Sequence, residues 1–203
     1  AGRIIYQELT LINLAVKNKT LNDEKVLQDA FSYAKINHKK VHFLGLVSDG
    51  GVHSHTSHLK GLLDAAQDYG LNNVYVHAFT DGRDVDPKSG KGYIEDLEKY
   101  CSKSKAKLAS VCGRYYAMDR DKRWERVKIA YDLLVNCVGT LSTNASETIQ
   151  KSYDADITDE FIQPILMTDS KGNALATIEN GDVIIFFNFR TDRGRQLTEA
   201  LSQ

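Results

Sequence analysis

The chain has 203 residues, 42% of them hydrophobic, enough to bury one sizeable core, so a single domain is the default expectation. Its 26 Lys and Arg stand against 27 Asp and Glu, which leaves no global field to recruit nucleic acid or an anionic membrane; any anion site must be local. The longest apolar run, Val183 to Phe187, is far too short to cross a bilayer and the first residues carry no signal pattern, which predicts a soluble, cytoplasmic protein. Cys101, Cys112 and Cys137 are odd in number and widely spaced, without a CxxC pair, and read as small core residues or reduced thiols. The opening Ala1-Gly2-Arg3, with no initiator Met, leads to the expectation that the chain is removed from a longer polypeptide.

Taken in chain order, Ile5, Leu9, Ile12 and Val16 recur at helical spacing, and a second helix is expected after Asn22, whose side chain can cap the first turn. Val41 to Val47 then reads as a strand, followed by a Gly-rich turn and a helix presenting Leu59, Leu62, Leu63 and Ala66 on one face and ending at Gly70. Val74 to Phe79 is a second strand, and Tyr93, Ile94, Leu97 and Cys101 mark the helix after it. Leu108 to Cys112 is a third strand, with Trp124, Val127, Tyr131 and Leu134 on the next helix. Asn144 with Glu147 resembles a capping box, Phe161 to Met167 an irregular or edge strand, Val183 to Phe187 the last strong strand, and Gln196 to Leu201 a closing helix. This alternation predicts an α/β fold, a three-layer α/β/α sandwich with a mainly parallel sheet.

In such sheets ligands bind beyond the carboxyl ends of the strands, where loops and helix amino termini converge. Four loops fall there: Ser48 to His55, Thr80 to Asp86, Gly113 to Asp121, and Asn188 to Arg193. They place His53, Arg83, Asp84, Arg114, Arg120, Arg190 and Arg193 on one rim. Any one of these residues alone would read as a solvated loop charge, but five guanidinium groups converging match a small ligand with phosphate and carboxylate groups, because each planar fork can donate two parallel hydrogen bonds. Gly50-Gly51 is a weak signal, and without GxGxxG or GxxxxGKS/T, dinucleotide and ATP binding are disfavoured. A metal on His53, His55 and His58 is set aside, because the trio lacks the HExxH spacing; capping and substrate hydrogen bonding suit these residues better. Tyr115, Tyr116 and Trp124 are assigned to packing. Asp84, a carboxylate among cations, can take a proton from a hydroxyl as general base, or serve as a structural arginine partner; residue type alone leaves both open.

The motifs Ser48-Asp49-Gly50-Gly51-Val52-His53-Ser54-His55, Asp81-Gly82-Arg83-Asp84, Gly113 to Asp121 with Arg123-Trp124-Glu125-Arg126, and Phe189-Arg190-Thr191-Asp192-Arg193 resemble those of cofactor-independent phosphoglycerate mutases. The resemblance spans essentially the whole chain, and Ala1 to Gln7 is similar to the family segment just after its catalytic serine motif. It implies a two-domain enzyme of glycolysis and gluconeogenesis. One domain is alkaline-phosphatase-like and holds two Mn2+ ions and a phosphorylated serine; the other, inserted, grips the glycerate. Residues 1–203 resemble the inserted domain alone. The family's substrate contacts then fall on His53, Arg83, Asp84, Arg114, Arg120, Arg190 and Arg193, with Asp84 as the acid/base group acting on the hydroxyls of 2- and 3-phosphoglycerate. The serine motif, the metal ligands and the catalytic lysine are absent, so the resemblance implies a fragment inactive alone, with no cofactor of its own and the metal-binding domain as its partner. Thr191 stands where the family pattern leads one to expect a proline. Two further readings compete: a stand-alone sensor of a phosphorylated or carboxylated metabolite, and a metal hydrolase using the histidine trio with Asp49 or Asp81.

Overall fold

The computed structural model describes residues 7–203. Eight α-helices and six strands follow one another as α1 (Glu8–Lys17), α2 (Lys25–Ile36), β1 (Val41–Leu46), α3 (Thr56–Asp68), β2 (Val74–Thr80), α4 (Gly90–Ser104), β3 (Lys107–Gly113), α5 (Arg114–Ala117), α6 (Trp124–Asn136), β4 (Thr140–Ser142), α7 (Ala145–Asp154), β5 (Ile165–Met167), β6 (Val183–Phe186) and α8 (Arg195–Leu201). They form one six-stranded sheet in the order β4-β5-β3-β2-β1-β6. The pairings β6·β1, β1·β2 and β2·β3 are parallel, and β5 runs antiparallel to β3 while pairing in parallel with β4.

Both faces of the sheet are covered, as period-two alternation in a buried parallel strand requires. Val41 and Phe43 of β1, with Val74, Val76 and Ala78 of β2, pack under α2, α3, α4 and α7. Leu44, Leu46, Phe79 and Cys112 point the other way, under α5, α6 and α8. The protein is therefore a three-layer α/β/α sandwich with a mainly parallel sheet, as the alternation of elements predicts. A polar chain crosses the buried sheet at its centre: His42 Nδ1 lies 2.9 Å from His77 Nε2, His77 Nδ1 lies 2.8 Å from Ser110 Oγ, and His42 Nε2 lies 3.2 Å from Asp182 Oδ2. Burial is the main force holding both imidazoles neutral, with His42 lowered to about 4 and His77 well below its ordinary value.

Three local expectations are corrected. Asn22 does not cap α2: it lies in a 3-10 turn, Leu21–Asp23, and Glu24 occupies the cap position without a side-chain bond. The strand expected within Phe161 to Met167 is short, Ile165–Met167, and interior; the sheet edge beside it is β4, whose three residues are too few to show periodicity. Trp124 is exposed at 43%, so it starts α6 without packing into the core. Asn144 does cap α7, its Oδ1 accepting from Glu147 N at 3.2 Å, but the box is not closed through backbone: Glu147 Oε1 accepts from Asn144 Nδ2 at 2.9 Å, while Asn144 N donates to Ser142 Oγ at 3.0 Å. Gly70 follows α3 with φ +79, the left-handed turn expected beyond a helix end. Ile5 lies outside the described residues.

Candidate polyanion site at the strand ends

The loops after β1, β2, β3 and β6 meet at one end of the sheet because their strands are parallel neighbours. Asp81, at the end of β2, accepts from Ser48 Oγ at 2.6 Å and turns back to accept from Arg83 N at 3.1 Å and Asp84 N at 3.0 Å. Arg114 opens α5 with its side chain buried, and its Nη1 donates to Asp81 Oδ1 at 2.6 Å and to Asp84 Oδ2 at 2.7 Å. Burial pushes the Asp81 carboxyl up, but the Ser48 hydroxyl, the Asp84 amide and the Arg114 guanidinium outweigh it and hold the carboxyl below its usual value. His53 faces both sides of the rim, with Nε2 3.9 Å from Asp84 Oδ2 and Nδ1 3.8 Å from Asp192 Oδ1. Burial first, then the Arg114 charge, lower its pKa to about 4, so it is neutral near pH 7.

The fourth loop is tied to the others by Asp192 and by backbone. Asp192 Oδ2 accepts from Arg120 Nη1 at 3.0 Å and from Arg190 Nη2 at 3.1 Å, and Arg190 N donates to His53 O at 3.3 Å. Arg193 Nη1 donates to Met118 O at 3.1 Å. Burial first, then the like charges of Arg114, Arg120 and Arg83, depress the Arg193 pKa, which marks four guanidinium groups crowded together. Such crowding is unfavourable without an anion and favours one that enters.

The cavity between them has a volume of about 380 Å3. Of the predicted residues, Arg83, Arg114, Arg120 and Arg193 line it; Arg190 instead faces an adjoining groove with Phe186, Asn188 and Thr191. Asp84 and His53 are not among the residues lining the cavity; Asp84 is joined to it through Arg114, at 2.7 Å, and His53 lies 3.9 Å from Asp84. Arg123, Arg126, Glu160 and Phe161, which are not among the predicted site residues, also line the cavity, as does Tyr115. The Arg126 guanidinium lies 3.8 Å from the Tyr115 ring centre, and Glu160 Oε1 accepts from Arg83 Nη1 at 3.3 Å. Tyr115, assigned to packing with Tyr116, is thus a cavity wall, whereas Tyr116 is buried. Asp119 Oδ1 accepts from Asp121 N at 2.9 Å and Arg123 N at 3.0 Å, which folds the loop that carries Arg120.

The histidine trio does not converge. His55 caps α3, accepting from Ser57 N at 3.1 Å, and His58 Nε2 lies 2.7 Å from Asn13 Oδ1 of α1. Among the described residues no three His, Cys, Asp or Glu side chains are grouped to hold a metal ion.

An open α/β sheet with arginines from three strand-end loops lining one cavity has the chemistry to hold a small polyanion. Residues 12–203 match the model of the family described as BPG-independent PGAM N-terminus, and the chain belongs to that family. Over its full length it is 70% identical to the 2,3-bisphosphoglycerate-independent phosphoglycerate mutase of Flavobacterium johnsoniae and 56% identical to that of Bacteroides fragilis, in each case covering 40% of the relative. A crystal structure of Leishmania mexicana phosphoglycerate mutase at low cobalt concentration superposes with a TM-score of 0.90 at 31% identity, over 98% of this chain and 38% of that one. The chain thus spans about 40% of the length of the curated relatives it matches.

Proposed function

We propose that residues 1–203 are the substrate-gripping domain of a cytoplasmic phosphoglycerate mutase that interconverts 3- and 2-phosphoglycerate in glycolysis and gluconeogenesis. The observation that carries this reading is the cavity lined by Arg83, Arg114, Arg120 and Arg193 with Asp84 held 2.7 Å from Arg114. The arginines, with Arg190 at the margin, bind the carboxylate and phosphate groups, and neutral His53 supplies a hydrogen bond without adding charge. Asp84 takes the proton from whichever glycerate hydroxyl receives the phosphoryl group and returns it when the other is released. The phosphoryl group rests meanwhile on a serine in the partner domain of the same protein, whose motif these residues lack. In this reading the partner domain would hold two Mn2+ ions, which would supply Lewis-acid stabilisation of phosphoryl charge when bound.

The test uses the full-length protein. Asp84→Asn keeps size and much hydrogen bonding but cannot accept the proton, so it lowers kcat for mutase turnover with little change in KM, while hydrolysis of the phosphoserine by water suffers least. Near-normal mutase turnover, or equal loss of both activities in a folded protein, would assign Asp84 to a purely structural ion pair. The excised 203 residues show no turnover of 3-phosphoglycerate with any divalent metal; measurable turnover by rigorously purified fragment refutes the division of labour.

A further inference from the structure

Asp81 is the most completely buried carboxylate of the rim, with its side chain 1% exposed, and it does not line the cavity. A buried charge is tolerated only when paired and hydrogen-bonded, and Asp81 has four donors: Ser48 Oγ at the end of β1, the amides of Arg83 and Asp84 in its own turn, and Arg114 Nη1 at the start of α5. It therefore joins three of the four site loops through one side chain.

Arg114 Nη1 is shared between two carboxylates, Asp81 at 2.6 Å and Asp84 at 2.7 Å. Of the two, Asp84 is the more open, 19% exposed against 1% for Asp81. With Asp81 ionised, part of the guanidinium charge is neutralised inside the protein, and Asp84 is left as an open carboxylate rather than one half of a closed pair. The Asp84 amide, tied to Asp81 Oδ1, fixes where that carboxylate stands.

We infer that Asp81 is a positioning residue: it divides the Arg114 charge and orients Asp84 so that Asp84 can exchange a proton with the substrate. This rests on the acid/base reading of Asp84 given above. The Gly82 conformation supports the same device, since φ +69 at this position lets the turn fold back onto the Asp81 carboxylate.

The experiment is a double-mutant cycle in the full-length enzyme with 3-phosphoglycerate as substrate. Asp81→Asn lowers kcat about tenfold or more and changes KM less than about threefold, because the outer arginines still hold the anion. In an Asp84→Asn background the same substitution costs no more than about a further twofold, since a residue acting through Asp84 has nothing left to position. Ser48→Ala, which removes one donor and keeps the charge, gives a smaller fall in kcat and the same non-additivity, and it decides the matter if Asp81→Asn does not fold. Additive losses in the cycle, or unchanged kcat in both Asp81→Asn and Ser48→Ala, overturn the inference. A normal Asp84→Asn enzyme instead removes the acid/base reading, and this inference with it.

Discussion

At the scale of single residues, the arginines of the rim fall into two physical kinds. Arg120 is half exposed and paired with Asp192, so in the proposed function Arg120→Ala removes a charge-assisted contact of about 1.5–3 kcal/mol to the anion. Its expected effect is a rise in KM for 3-phosphoglycerate of roughly ten- to a hundredfold with the melting temperature unchanged, read by kinetics and calorimetry on the full-length protein. Arg114 is buried between two carboxylates, and Arg114→Ala leaves Asp81 uncompensated. Breaking a buried pair from one side costs roughly 3–5 kcal/mol, so this variant loses both affinity and stability; a wild-type melting temperature would contradict the pairing described here. Which residues stand on the rim was legible because charged loops follow apolar runs, and position in a parallel sheet does the rest. Asp192 was legible too, lying between two chosen arginines, yet a carboxylate in an anion site has no obvious task until Arg120 and Arg190 are seen to share it. Glu160 left no signal, because it meets Arg83 across 77 residues of sequence.

At the scale of elements, the core strands and helices follow from period and turn chemistry, whereas the wall that closes the site does not. That wall, from Asp159 to Ile162, is fixed by tertiary contacts. Asp159 is buried, accepts from Gly90 N at 2.7 Å and from the Tyr153 hydroxyl, and Ile162 O accepts from Gly113 N at 2.8 Å. Burial raises the Asp159 pKa despite those donors. Gly113 is the contact point: a Cβ there would strike Glu160 O and come within 2.7 Å of Ile162 N. Gly113→Ala is therefore expected to cost about 1–3 kcal/mol and to push the wall outward, raising KM more than it lowers kcat, as denaturation and kinetics on one preparation can compare. Asn144→Ala, far from the site, should cost about 1 kcal/mol through the lost cap and leave KM alone. Equal KM effects from the two would show that the wall is not tied to Gly113. The missed edge strand and the misplaced cap of α2 have one cause: three-residue elements and 3-10 turns are settled by neighbours, not by local pattern.

At the scale of the whole molecule, apolar clusters on both faces of one sheet predict that the excised chain unfolds in a single cooperative transition; a broad, non-cooperative melt would contradict this. Its stability depends on pH through the histidines. His42, His53 and His58 are lowered to about 4 and His77 well below its ordinary value, in each case mainly by burial. The unfolded chain takes up these protons near 6.5 while the folded chain refuses them until about 4, so stability is greatest above the unfolded value and falls as pH drops from about 7 towards 4. Urea midpoints measured at pH 7.5 and 5 should decline accordingly, and a flat profile would mean that the imidazoles are not buried neutral. The pairing of β6 with β1 carries a consequence in time. Val41 meets Val183 across the sheet, and Leu46 N donates to Asn188 Oδ1 from 142 residues away, immediately before Arg190 and Arg193. A ribosome delivering this chain from its amino end exposes β1, β2 and β3 long before the strand that brings those two arginines. The newborn sheet must therefore wait with one flank bare, and the arginine rim is complete only when β6 emerges and docks against β1.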